Sequence, residues 1–419
     1  MGIKNFSKAF NATRTIKWKD YAGKTIAIDA MTELYRAALG ASSVAALTDS
    51  SGKPTLHISV ILSTILEIYR SDVTQIWVFD HNQDPNQDFH NPAKLAELLK
   101  RKKKKDDAAS EMKTLKEYQQ MSEQSTFSDD EETNPIPSEE NAVSQRIDSL
   151  EKRTFSATPE MINDIKLMLN CLNIQYMEAP AGCEGEQTAS HLTLMDKADA
   201  VYSGDTDPVA YGATVLLRRN PRDKKIYEYP IEDIIRQVNE GSAIENPDIS
   251  HVRIAAVALG TDLAEKSPGI GAKTVLKKLH LIKLTPKQKD AIKEFAAPCD
   301  ETKLVIYNDD KTPFAEDCMK AELIDWLVNV KSFNKTRITA SFDKKTTKKV
   351  PKKTVAKSTA TKKTVAKSAD RFHGVMTISM DIKKNVVLPP KRVAGKVMKT
   401  PVVVAPPAEE ENGPDEDSE

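Results

Sequence analysis

Two short stretches place carboxylates almost side by side. "AGCEGEQTAS" carries Glu184 and Glu186, and about twenty residues on "YSGDTDPVAYG" carries Asp205 and Asp207. Both pairs adjoin apolar runs. Ionised carboxylates are costly to bury, and like charges held close repel. A solvated loop would make the pattern trivial, whereas a bound divalent cation would make it useful. Mg²⁺ prefers oxygen ligands and keeps several waters, so carboxylates without His or Cys suit it. Two such ions, roughly 3.5–4 Å apart, serve in-line attack on a phosphodiester: one side activates water and the other stabilises the leaving oxygen.

The elements that must position these acids read as alternating strands and helices. "KTIAIDA" (24–30) and "TQIWVFD" (74–80) read as strands, each ending on an Asp. "LHISVILSTILEIYR" (56–70) between them reads as a buried helix. "IQYMEA" (174–179) and "ADAVYSGD" (198–205) are further strands, separated by helical "EQTASHLTLMDK". Thr158 and Pro159 suit the cap and first position of a helix striped by Ile162, Ile165 and Leu169. This alternation predicts an α/β fold with a largely parallel sheet, whose ligand crevice lies at the carboxyl ends of strands. Asp29, Asp80, Glu184, Glu186, Asp205 and Asp207 all fall there, and Asp262 follows a later helix. Singly, each acid is equally an ordinary helix cap or surface carboxylate. Glu184 and Glu186 also suit a first helical turn, where the helix dipole favours acids.

Net charge excludes nothing, because 61 Lys+Arg balance 61 Asp+Glu. Charge is instead segregated. "KRKKKK" spans Lys100–Lys105, a Lys/Thr/Val/Ala/Pro tail begins near residue 343, and the chain ends "EEENGPDEDSE". Such blocks read as solvated interaction tails, and "KKTVAKS" repeated at 352–358 and 362–368 is low complexity. Residues 122–143, acidic with Ser and Pro, read as disordered. Four dispersed cysteines without CxxC spacing argue against zinc or a disulfide framework and fit a reducing compartment. No apolar leader or spanning run is expected, and Phe6 breaks the myristoylation pattern begun by "MGIKNFS".

Five motifs in order carry a resemblance: the start "MGIKNFSKAF", then "AIDAMTELY", "VFD", "APAGCEGEQTAS" with "SGDTDPVAYGA", and "ALGTDLAEKSPGIGAKTVLKKL". Over roughly residues 1–340 the chain resembles the flap endonuclease/XPG-like family of structure-specific 5′ nucleases. "VFD" alone is worthless and "GIG" weak; the ordered set is specific. The resemblance implies a PIN-like core over 1–342, with an N-region at 1–105, a helical arch and acidic insertion at 81–155, and an I-region at 156–280. A helix–two-turn–helix occupies 251–279, and 343–419 is a disordered tail. It implies that Asp29, Asp80, Glu184, Glu186, Asp205, Asp207 and Asp262 hold two Mg²⁺ ions, with Mn²⁺ as a substitute.

The same resemblance gives other residues roles. Lys94 and Arg101 lie seven residues apart, on one helix face two turns apart. It implies that they reach from the arch to the scissile phosphate and stabilise transition-state charge; the plain alternative is a solvated basic helix. Tyr35 matches a tyrosine that stacks on a base, against the alternative of a core tyrosine. Gly2 is assigned to the DNA interface. Gly269, Gly271 and Lys273 in "PGIGAK", with Lys277, would meet duplex phosphates, and a monovalent cation is implied at that turn. The family's basic residues after the tyrosine have no clear match, leaving Arg36 or Lys53 as substitutes. No sliding-clamp box is present.

These features predict a Mg²⁺-dependent 5′ flap endonuclease with 5′→3′ exonuclease activity, acting on branched DNA as a monomer. The basic tail points to the nucleus or another intracellular site of DNA replication. Bubble, junction or RNA cleavage by a relative of the same superfamily stays open, as does a non-catalytic scaffold that binds branched DNA.

Overall fold

In a computed structural model, the described residues are 2–40, 47–81, 92–125, 137–314 and 317–343. The predicted tail and residues 126–136 of the acidic insertion lie outside them. All described residues belong to one compact unit. A seven-stranded sheet runs in the order β1-β7-β6-β5-β2-β3-β4. Its strands are β1 Arg14–Ile16, β2 Thr25–Asp29, β3 Thr74–Phe79, β4 Gln175–Glu178, β5 Ala200–Tyr202, β6 Val215–Arg219 and β7 Ile226–Pro230. β4, β3, β2, β5 and β6 pair in parallel, as the alternating pattern predicts. β6–β7 is an antiparallel hairpin, and β1 closes antiparallel on β7.

Continuous apolar runs explain the central strands, which are buried on both faces. Ile26, Ala27 and Ile28 of β2 and Trp77 and Val78 of β3 are inaccessible to solvent. One cluster packs Ala27, Val78, Met177 and Val201 against Ala189 and Leu192 of the Gly185–Leu194 helix. A second cluster joins Phe6, Phe10, Tyr229 and Phe295 to the Ile249–Leu259 helix. The Leu56–Tyr69 helix forms where expected, and so does Pro159–Cys171, whose Thr158 accepts from the Met161 N–H.

Two expectations are corrected. The arch is a helix at Pro92–Ser125 followed by a second at Pro137–Thr154, so both ends of the acidic segment are helical rather than disordered. Pro137 starts the second helix, a position that tolerates proline. Ion pairs Lys116–Glu151 and Arg146–Glu111 tie the two helices together, over buried Ala108, Ile147 and Leu150. The helix–two-turn–helix has only its first regular helix, Ile249–Leu259. Residues 272–278 form successive turns that lead into a short 3₁₀ segment, Leu279–Leu281. Thr274 explains part of this: its hydroxyl accepts from Gly271 N–H and donates to Gly271 C=O, competing with helical bonding. Among the described residues no helix is long and apolar enough to cross a membrane.

Candidate active site

β2 sits where the chain order reverses. The chain runs from β2 outward through β3 and β4, then returns to β5 on the other side of β2. Crevices at such switch points, at the carboxyl ends of strands, are the usual ligand sites of open α/β sheets. Asp29 ends β2, Asp80 follows β3, and Asp205 and Asp207 follow β5. The Glu184/Glu186 pair opens the Gly185–Leu194 helix.

Local hydrogen bonds aim these carboxylates. Asp29 caps the Ala30–Leu39 helix by accepting from Thr32 N–H at 3.0 Å, and it also accepts from Ser203 Oγ at 2.8 Å and from the Thr32 hydroxyl. Asp80 accepts from Gly185 N–H at 2.8 Å, which ties β3 to the glutamate-bearing helix. A Cβ on Gly185 would meet Asp80 at 2.9 Å, so only glycine fits this approach unchanged. Glu184 accepts from the Tyr211 hydroxyl at 2.8 Å. Asp205 accepts from Thr206 N–H at 2.6 Å.

Burial and mutual repulsion dominate the electrostatics. Burial pushes the Asp29 carboxyl up to about 6, against hydrogen bonds from Thr32 that lower it and repulsion from Asp80 that raises it. Glu186 is raised well above the carboxylate range by burial, then by Asp205, Asp207 and Glu184. Asp207 is raised likewise by burial, Asp205 and Asp262, and Asp205 by burial with Asp29 and Asp262 contributing. These repulsions connect all seven predicted acids into one cluster. The Asp207 Oδ1 atom is buried without a hydrogen-bond partner.

An oxygen-only donor set with an orphaned buried carboxylate oxygen fits hard divalent cations. Among the described residues no three His, Cys, Asp or Glu side chains close into a ready-made ligand cage. The carboxylates form an open cluster instead. That suits an ion held by a few carboxylates and several waters.

The arch supplies a cation. Arg101 Nη2 pairs with Asp262 Oδ2, so this helix reaches the acid cluster. Lys94 lies on the same helix, and its side chain is outside the described ones. Tyr35 packs edge-to-face on Phe155 at 5.6 Å and lines an open cleft of about 330 Å³ with Thr32, Gly204 and Asp205. It therefore borders the acids rather than filling the core. Gly2 is buried, and a Cβ there would overlap Asp205 Oδ1, so the start of the chain packs against the acid cluster. Gly269, at φ +70°, and Gly271 have open space beside them, with Lys273 and Lys277 exposed nearby. Arg36 is engaged by buried Glu33, and Lys53 by Glu160.

Sequence reasoning missed Tyr211, Thr32 and Ser203. Tyr211 lies in the quoted aspartate motif, four residues after Asp207 on the short Asp207–Tyr211 helix. That spacing puts both on one face, which was the available signal.

Two family models match in chain order: the XPG N-terminal domain over residues 1–108 and the XPG I-region over 173–262. The chain is a flap endonuclease/XPG-like nuclease. Flap endonuclease 1 of Heterostelium pallidum is 26% identical over 371 residues, covering 82% of this chain and 85% of that protein. Flap endonuclease 1 of Methanocaldococcus jannaschii is 28% identical over 340 residues, covering 78% and 90%. The solved flap endonuclease-1 from Methanococcus jannaschii shares the fold at TM-score 0.54 and 21% identity, over 79% of this chain and 94% of that one. The catalytic core of Rad2 with a DNA substrate shares it at TM-score 0.50 and 15% identity, over 81% and 99%. The flap endonuclease/XPG-like family is a nuclease class that generally requires divalent metals.

Proposed function

We propose that the chain is a Mg²⁺-dependent 5′ flap endonuclease with 5′→3′ exonuclease activity on branched DNA. One observation carries this reading: seven mutually repelling carboxylates lie at the switch point of the sheet, with an arch-borne arginine paired to one of them. The names of the curated relatives and the DNA substrate of the Rad2 core support it.

Asp29, Asp80, Glu184, Glu186, Asp205, Asp207 and Asp262 would hold the ions, with Mn²⁺ as a substitute. When bound, a divalent pair supplies an activated water and stabilisation of the leaving oxygen. Arg101 stabilises charge that builds on the phosphoryl oxygens, as cationic clamps do. Lys94 occupies the arch position two turns earlier for the same purpose. Tyr35 offers a ring beside Asp205 on which a base stacks, a contact worth about 1–3 kcal/mol for any sequence. The open Gly269–Gly271 backbone, with Lys273 and Lys277, holds duplex phosphates without reading bases.

The test is cleavage of end-labelled flap, nick, bubble, four-way junction and single-stranded RNA substrates, with Mg²⁺, with Mn²⁺ and with chelator. Metal-dependent cutting near the flap base, preferred over the other substrates, is expected. Preference for a junction, bubble or RNA would replace the flap assignment. Binding without cutting in either metal would make the chain a scaffold.

A further inference from the structure

Asp262 and the Gly269–Gly271 turn belong to one loop, residues 260–271, that follows the Ile249–Leu259 helix. In the proposed reaction the two ends of this loop do different work: Asp262 would hold metal, and the glycine turn would hold duplex phosphates. Backbone bonds give the loop its shape. Thr261 N–H donates to Ala264 C=O at 2.9 Å, which closes a tight turn around Asp262. Ser267 N–H donates to Ala258 C=O at 2.9 Å, and Ile270 N–H donates to Ser267 C=O at 3.3 Å. Leu263 and Ala264 anchor the loop in the second hydrophobic cluster, which also holds Ala291 and Phe295 of the Pro286–Ala296 helix.

That helix buries one polar side chain against the loop. Gln288 joins Ala291 and Phe295 among the buried residues of the helix and is only 2% exposed, where an apolar residue is the ordinary choice. Its Oε1 accepts from Thr285 N–H at 3.1 Å, while Thr285 Oγ1 accepts from Gln288 N–H at 3.2 Å. This capping box fixes the side chain. The amide nitrogen is left to bond the loop. Nε2 donates to Glu265 C=O and to Ser267 Oγ, each at 3.0 Å, and lies 3.4 Å from Val257 C=O. Glu265 follows the residue that closes the Asp262 turn, and Ser267 stands just before the glycine turn. One amide therefore grips both halves of the loop.

We propose that Gln288 is a positioning residue that couples the metal-facing and duplex-facing ends of this loop, so that loss of its amide loosens both together. The inference rests on the nuclease reading of the site. An amide has two N–H donors, and here both are spent on loop groups. Without them the Ser267 hydroxyl and the Glu265 carbonyl must find other partners, which a loop does by shifting or by admitting water. A shift near 1 Å in a reacting constellation reduces rate by about 10²-fold. The fold also contains a matched buried glutamine away from the site. Gln75 is 5% exposed near the start of β3, at the opposite end of that strand from Asp80. Its Nε2 donates to Ile65 C=O at 3.1 Å, and its Oε1 accepts from Trp77 Nε1 at 3.1 Å.

The test compares Gln288→Met and Gln75→Met in the full chain. Two arms are read in chelator. Amide hydrogen exchange of the 260–271 peptide should be about tenfold faster in Gln288→Met, the weight of one lost buried hydrogen bond, with the Gly185–Leu194 helix unchanged. Affinity for a blunt labelled duplex should fall by about tenfold, the weight of one hydrogen bond to a charged group. The third arm is single-turnover flap cleavage in Mg²⁺, which should fall by about 10²-fold. Gln75→Met should lower Tm and leave all three arms as in the unmodified chain. If Gln288→Met does not fold, Ser267→Ala removes one of the two grips and should show the same pattern, reduced in size. Loop exchange as slow as in the unmodified chain overturns the positioning role. Faster exchange with duplex affinity and cleavage intact overturns the coupling. If the unmodified chain cleaves nothing, the nuclease reading fails, while exchange and duplex binding still decide whether Gln288 holds the loop.

Discussion

At the scale of single residues, the acids are where the fold is least comfortable. Glu186 and Asp207 sit partly or wholly out of water among other carboxylates, and their pKa values rise accordingly. A carboxyl raised in the folded state is bound to its proton more tightly there than in the unfolded chain. Metal-free stability is therefore greatest below the unfolded value, about 4, and falls as pH rises through the folded one. Glu186→Gln should raise the Tm of chelator-treated protein at pH 7.5, by about 2–4 °C for each kcal/mol relieved, and the gain should vanish near pH 4. A lowered Tm at pH 7.5 would contradict the assigned repulsion. Tyr211 acts on the same cluster from outside. Its hydroxyl fixes one Glu184 oxygen, and loss of such an outer partner typically weakens metal affinity by 10–100-fold. Calorimetric Mn²⁺ titration of Tyr211→Phe should show about that loss with an unchanged far-ultraviolet spectrum. Equal affinity would leave Tyr211 a core aromatic that packs on Phe295.

At the scale of elements, the arch and the central strands carry the argument. β2, β3 and β5 were legible because buried parallel strands leave continuous apolar runs, and the acids at their ends follow from that edge. The β6–β7 hairpin was not read, because "VLLRRNPRDKKIYEYP" is short, charged and only half-buried. The second limb after "PGIGAK" was expected to be helical, yet local Thr274 bonding and the preceding glycines favour turns. The gathering of the acids was legible in the sequence, whereas their anchors were not, since Tyr211 and Ser203 meet them only through tertiary contact. The arch places Arg101 on Asp262, which spacing alone could not fix. Arg101→Ala should slow single-turnover cleavage by roughly 10²-fold or more with modest loss of affinity, because its contact strengthens in the transition state. Lost affinity with an unchanged single-turnover rate would make it a phosphate contact only.

At the scale of the whole molecule, a chain that is neutral overall carries a Lys-rich segment at 343–404 and an acidic end at 409–419. That segment lies outside the described residues, and the expectation for it comes from composition. Lysines that neutralise phosphates release counterions, so affinity falls with log salt in proportion to their number. Deleting 343–419 should leave cut position and low-salt turnover intact, weaken duplex binding near physiological salt and flatten its salt dependence. An unchanged slope would show that the tail does not touch DNA.

The central claim is that the acids at the carboxyl edge of the sheet hold the ions that cut DNA, while other surfaces hold the substrate. Asp205 tests it most directly, since it lies beside the switch point, borders the Tyr35 cleft and repels Asp29 and Asp262. The measurement is Mg²⁺-dependent cleavage and flap binding by Asp205→Ala beside the unmodified chain. Loss of cleavage with flap affinity retained is the predicted result, and cleavage at a near-normal rate in Mg²⁺ would contradict it.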